Sequence, residues 1–121
     1  MKRKVLIVED YEDTRTFMRF LIQSYGYQVI EAADGLEAIE YLKSDFPDLI
    51  LMDIAMPVMD GMETTRAIRK LKRGDEIPII AVTAHGKGFY KKAIEAGCSD
   101  LIAKPVDFDS LEALLNQYLD H

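Results

Sequence analysis

The sequence has no tryptophan, a single cysteine, only four prolines and no long apolar run. Cys98 cannot make an internal disulfide, and between Gly97 and Ser99 it reads as an inert small residue rather than a nucleophile. The apolar run nearest the N-terminus, Val5-Leu6-Ile7-Val8 behind Lys2, Arg3 and Lys4, stops far short of a signal sequence or of the roughly 20 residues that span a bilayer. A cytoplasmic protein with no membrane contact is therefore expected. Positive charge is also scarce. Against 21 Asp and Glu there are 15 Lys and Arg, a net charge of -6, and such a chain lacks the electrostatic footprint of a nucleic-acid binder. Glycine is missing where a dinucleotide-binding turn would need it, because Glu9-Asp10-Tyr11 follows the first apolar run.

What the chain does have is enough apolar material, in 121 residues, for one continuous core, so residues 1–121 are expected to form one domain. Val5 to Val8, Leu49 to Met52 and Ile77 to Val82 are continuous apolar runs too short for helices, the pattern of strands buried on both faces. Gln28 to Ala32 and Asp100 to Ala103 mix polar with apolar residues, as edge strands do. Between the runs lie residues at helical spacing: Phe17, Met18, Leu21 and Tyr25; Leu36, Ile39 and Leu42; Ala67, Ile68 and Leu71; Phe89, Ala93 and Ala96; and Leu111, Leu114, Leu115, Tyr118 and Leu119. Asp34 with Glu37, Asp60 with Glu63 and Asp109 with Glu112 have capping-box spacing, and Gly26 and Gly97 stand where left-handed helix stops are wanted. Arg66, Arg69, Lys70, Lys72 and Arg73 read as a solvated basic face near a helix end, favourable to its dipole. The alternation predicts a doubly wound (βα)5 fold, a five-stranded parallel sheet in the flavodoxin-like order 2-1-3-4-5 with helices on both faces.

In such a sheet ligands bind outside the carboxyl ends of the strands where the order reverses, between the first and third strands. The first strand ends in Glu9-Asp10, the third in Asp53, the fourth in Thr83-Ala84 and the fifth in Lys104-Pro105. Three carboxylates gathered in one crevice disfavour joint ionisation and call for a cation. An all-oxygen donor set fits Mg²⁺ better than zinc. With the metal, Lys104 and Thr83 holding its oxygens, a phosphoryl group would be placed for in-line attack by a carboxylate. Bland readings stand beside this one: Asp10 as the cap of the first helix, Thr83 as an ordinary strand residue, Lys104 as a surface lysine. Met52, Met56, Met59 and Met62 read as packing residues, and His85 and His121 as incidental.

"VLIVED", "LILMDIAMPVMDG", "IIAVTAH" and "EAGCSDLIAKP" resemble, in order and spacing, the signature blocks of the response-regulator receiver domain, the chemotaxis-type phosphoacceptor module of two-component signalling. The resemblance covers essentially the whole chain. It implies that Asp53 is the phosphorylation site and that Asp10 and Asp53 touch Mg²⁺ directly. Glu9 would act mainly through water, and the Ala55 carbonyl would complete the protein ligands. It further implies that Thr83 and Lys104 contact the phosphoryl group, that the Lys104-Pro105 bond is cis, and that Met56, Pro57 and Gly61 shape the loop into the third helix. The implied donor is a histidine kinase or histidine phosphotransfer protein, docking at the crevice rim and first helix (Tyr11, Thr14). The implied output partner binds the fourth helix, fifth strand and fifth helix (Tyr90, Lys91, Leu101). The domain would catalyse only its own phosphorylation and dephosphorylation, either as a stand-alone regulator or as a receiver from a longer protein.

The chain departs from the family pattern at a few positions. Glu9 stands where many relatives have Asp, and Leu101 where the family usually carries an inward-turning Tyr or Phe. Ala55 and His85 occupy positions that in relatives tune the lifetime of the phosphoryl group. A haloacid-dehalogenase-type phosphatase, which also uses a strand-end Asp with Mg²⁺, needs a second Asp two residues on, where this chain has Ala55. The remaining alternative is a pseudo-receiver, the same fold acting only through protein contacts.

Overall fold

The five runs form the strands of one parallel sheet in the computed structural model, which describes residues 2–56, 59–84 and 86–119. They are β1 (Lys4–Val8), β2 (Gln28–Ala32), β3 (Leu49–Asp53), β4 (Ile79–Thr83) and β5 (Asp100–Ala103), in the order β2-β1-β3-β4-β5. Val5 pairs with Val29 on one side and Leu49 on the other, Ile50 with Ile79, and Ile80 with Asp100. This register brings the carboxyl ends of the strands to one rim, with the reversal of order between β1 and β3.

Five helices cover the sheet: α1 (Glu12–Ser24), α2 (Gly35–Leu42), α3 (Gly61–Arg69), α4 (Tyr90–Ala96) and α5 (Phe108–Leu119). Alternate strand residues serve opposite layers. Leu6, Ile50 and Ile79 face Ala38 of α2, Ile68 of α3 and Ala93 of α4. Val5, Leu51 and Ile80 face Met18 and Ile22 of α1 with Leu111 and Leu115 of α5. Each fully buried Leu or Ile contributes about 1.5–3 kcal/mol of transfer free energy, and β3 and β4 are buried along their whole length. The central strands are therefore a rigid platform for whatever stands at their tips.

Local signals behave as their chemistry dictates, with the following corrections. Asp60 and Glu63 form a complete capping box, whereas at α2 Asp34 accepts the Glu37 N–H but Glu37 returns its bond to the Ala33 N–H. At α5 the capping acid is Asp107, which accepts the Ser110 N–H at 2.9 Å; Asp109 lies inside the helix. Ile77 and Pro78 precede β4 rather than open it, since proline has no N–H for the ladder and the Ile77 carbonyl accepts from Arg69. Phe17 and Leu36 are exposed, and Phe89 precedes α4 in a short 3-10 turn. Arg69 does not belong to a solvated face: its half-buried guanidinium donates to the carbonyls of Gly97, Gly74 and Ile77. Gly26 and Gly97 do take positive φ, 96° and 114°. Pro57, His85 and His121 lie outside the described residues.

Candidate functional site

β1 runs out into Glu9, whose N–H is still tied to the sheet through Ala32 O at 3.1 Å. The side chain turns inward and is 1% exposed, and its Oε2 accepts the Tyr11 N–H at 3.0 Å. Asp10, the next residue, is exposed. It does not cap α1, because the N-cap position is Tyr11 and carries no side-chain cap bond. Asp53 is the last residue of β3 and is 3% exposed; its Oδ1 accepts the Ala55 N–H at 3.2 Å. One carboxylate oxygen from each of Glu9, Asp10 and Asp53 lies within 4.8 Å of the others.

The other predicted groups come from the strands on the far side of β3. Thr83, at the tip of β4, is buried and follows Val82, the register partner of Asp53. Lys104 continues from β5, its N–H bonded to Thr83 O at 2.8 Å. The Lys104 ammonium reaches across the crevice, with Nζ 3.3 Å from Glu9 Oε1 and 3.3 Å from Asp53 Oδ1. The bond that follows it, Lys104-Pro105, is cis. Ala55 is exposed in the loop after β3. That loop is held from below by α3. The Gly61 N–H donates to Ile54 O at 3.0 Å, and a Cβ at Gly61 would overlap the Asp53 carbonyl oxygen. Only glycine lets the helix start so close to the acid's own backbone.

The charges do not balance, with three carboxylates sharing one ammonium. Burial, reinforced by the negative charge of Asp53, pushes the Glu9 carboxyl up from 4.5 to about 7, even with the Tyr11 N–H working against the shift. Burial disfavours the Lys104 ammonium, but the charges of Asp53 and Glu9 hold it above its ordinary value. An oxygen-only cluster with a surplus of negative charge is chemically suited to a hard divalent cation. Beside it lies an apolar groove of about 530 Å³ lined by Asp13, Thr14, Phe17, Met18, Lys104, Pro105 and Val106.

Against known families, the model of the response regulator receiver domain matches residues 5–116. The chain belongs to the response regulator receiver family. The receiver is 38% identical over 120 residues to the polar-differentiation response regulator DivK of Brucella abortus, covering 98% of each protein. Among solved structures it is similar to the receiver domain of the sensor histidine kinase PA1611 from Pseudomonas aeruginosa PAO1, at 34% identity, TM-score 0.91 and full coverage of both chains. That structure has a magnesium ion coordinated in its active-site cleft. Another similar structure is the chemotaxis protein CheY4 of Vibrio cholerae, at 31% identity and TM-score 0.92, covering 98% of the receiver and all of that chain. The receiver is thus a signalling module of the two-component phosphoacceptor class, not a turnover enzyme. Among the described residues no helix is long and apolar enough to cross a membrane.

Sequence reasoning found the groups at the strand tips and missed those that hold them. The Tyr11 N–H on Glu9 and the contact of Arg15 Nη1 with Glu9 O, at 2.9 Å, have no motif. Arg15 also bonds Glu31 of β2, a neighbour created by strand order rather than by spacing.

Proposed function

We propose that the receiver accepts a phosphoryl group from a phosphohistidine protein onto Asp53 in a Mg²⁺-dependent step, and that the phosphorylated form binds an output partner differently. The observation that carries this reading is the shared ammonium: Lys104 Nζ lies 3.3 Å from both buried carboxylates, where it can pass to the oxygens of an incoming phosphoryl group.

In the transfer, an Asp53 carboxylate oxygen attacks phosphorus in line with the donor's P–N bond. The P–O bond forms as the P–N bond breaks, and the electron pair leaves on the donor imidazole nitrogen, which takes up a proton. The product is an acyl phosphate on Asp53. The Lys104 ammonium and the Thr83 hydroxyl neutralise and orient the phosphoryl oxygens. Glu9, Asp10, Asp53 and the Ala55 carbonyl would hold Mg²⁺, which when bound supplies the positive charge the site lacks. In dephosphorylation water attacks the same phosphorus, the P–O bond to Asp53 breaks, and inorganic phosphate leaves with the Asp53 carboxylate restored.

The donor is a histidine kinase or histidine phosphotransfer protein. Its docking surface is the crevice rim and α1, where Tyr11, Phe17 and Phe20 are 62%, 52% and 61% exposed and Thr14 and Phe17 line the apolar groove. The output partner binds α4, β5 and α5, where Tyr90 is half exposed. With Leu101 packed against the core in place of an aromatic, the change reaches that face as a population shift of packed side chains. On this reading the receiver works in the cytoplasm and makes no direct nucleic-acid contact, in keeping with its net charge of -6.

Incubation with a small phosphodonor, with and without Mg²⁺, followed by intact-mass measurement, tests the reading. The native receiver gains one phosphoryl group only with Mg²⁺, and Asp53→Asn gains none. Equal gains in the two proteins, or a gain indifferent to metal, would defeat the assignment.

A further inference from the structure

We propose that Arg15 is a positioning residue: its guanidinium holds the backbone of the acidic turn and thereby sets the Mg²⁺ affinity of Glu9, Asp10 and Asp53. The inference rests on the metal reading of that cluster. Arg15 stands in the first turn of α1, with its own N–H on Tyr11 O at 2.9 Å. Its Nη1 donates to Glu9 O at 2.9 Å and its Nε to Glu31 Oε1 at 3.1 Å, while the other Glu31 oxygen pairs with Arg19 Nε at 3.3 Å. The Arg15 side chain is only 17% exposed.

Both backbone polar groups of Glu9 are therefore anchored to β2. The N–H is tied directly, through Ala32 O at 3.1 Å, and the carbonyl is tied through the Arg15–Glu31 link. Glu9 and Asp10 repel each other and Asp53, so without such ties the turn would relax to spread its charges. Ordering the freed residue again would cost conformational entropy at the moment of metal binding. A guanidinium suits the task because its planar fork offers two donors at a fixed separation, one for the carbonyl and one for the carboxylate; an ammonium is a single point.

Charge and positioning predict opposite signs. If Arg15 acted only as a nearby positive charge, its removal would tighten cation binding. If it were only a surface ion pair, its removal would leave metal affinity alone and shift stability little. Positioning predicts weaker binding, on the scale of about tenfold seen when groups that orient metal ligands are removed.

Calorimetric titration of Mg²⁺ into the native receiver, Arg15→Lys, Arg15→Ala and Glu31→Gln at one ionic strength separates these. The expected result is a loss of about tenfold in affinity for Arg15→Lys, which keeps the charge and the fold, a similar loss for Arg15→Ala, and a loss in the same direction for Glu31→Gln. An unchanged dissociation constant in Arg15→Lys, or tighter binding in Arg15→Ala, overturns the proposal while the metal reading stands. A native receiver that binds no Mg²⁺ overturns both.

Discussion

Replacing Asp53 by asparagine is predicted to stabilise the metal-free receiver while abolishing phosphorylation. The side chain keeps its size and its Oδ1 acceptor for the Ala55 N–H, so the change is one of charge. At an effective dielectric of about 20, the Lys104 attraction at 3.3 Å is worth about 5 kcal/mol and is lost. Repulsion from ionised Glu9, within 4.8 Å, is worth at least about 3.5 kcal/mol on the same scale and is relieved. Exposed Asp10 adds a smaller, solvent-screened repulsion. The deciding contribution is desolvation, because Asp53 is 3% exposed and burying a carboxylate costs several kcal/mol that an amide does not incur. Lys104 retains Glu9 as a partner.

The balance favours Asp53→Asn by about 1–3 kcal/mol, or roughly 4–15 °C in Tm for a domain of this size. Thermal and urea denaturation at pH 8 with a chelator present measures it. Saturating Mg²⁺ should shrink the difference, since the native receiver gains about 2.7 kcal/mol at 100 times its dissociation constant and the variant gains less. An asparagine variant that is no more stable than native without metal would refute the reasoning, because the crevice would then carry no excess of buried charge.

Other outcomes follow from the same contacts. With the Glu9 carboxyl at about 7 in the folded state against an ordinary 4.5, the folded receiver holds the extra proton. The stability Glu9 contributes is complete below about pH 4.5 and is lost as pH rises through about 7. Urea midpoints of metal-free protein should therefore fall across that window, and Glu9→Gln should flatten the fall. Gly61→Ala drives a Cβ into the Asp53 carbonyl and within 2.9 Å of Ile54 Cα, backbone atoms that cannot swing aside. A loss of about 2–4 kcal/mol in chemical denaturation is expected. Arg69→Met keeps the side-chain length but strands three carbonyls that the guanidinium satisfies, lowering stability by about 2–4 kcal/mol by the same assay.

The strands were legible because a run such as Leu49 to Met52 is continuous and short, and its end marks the sheet rim where Asp53 must stand. The placement of the candidate site's residues was legible for the same reason. Its acids, Thr83 and Lys104 terminate apolar runs, so one topology places them all. The supporting contacts were not legible. Asp109, with Glu112 three residues on, carries the capping-box spacing in sequence, yet the entry of the chain into α5 selects Asp107. Arg69 sits among four other basic residues that resemble a solvated face, yet the three carbonyls it satisfies come from two separate segments, the turn at Gly74 and Ile77 and the end of α4 at Gly97. Glu31 becomes a neighbour of Arg15 only because β2 lies beside β1. Local patterns report which faces are buried; tertiary neighbours decide which polar group a side chain meets.

The central claim is that the acceptor atom belongs to Asp53 and that the product is an acyl phosphate. Borohydride treatment of the phosphorylated receiver reduces an acyl phosphate to the alcohol with loss of phosphate, and peptide mapping then locates the changed residue. Homoserine at position 53 is the predicted result. Homoserine at position 10, hydroxynorvaline at position 9, or phosphate that survives the reductant on another side chain, would contradict it.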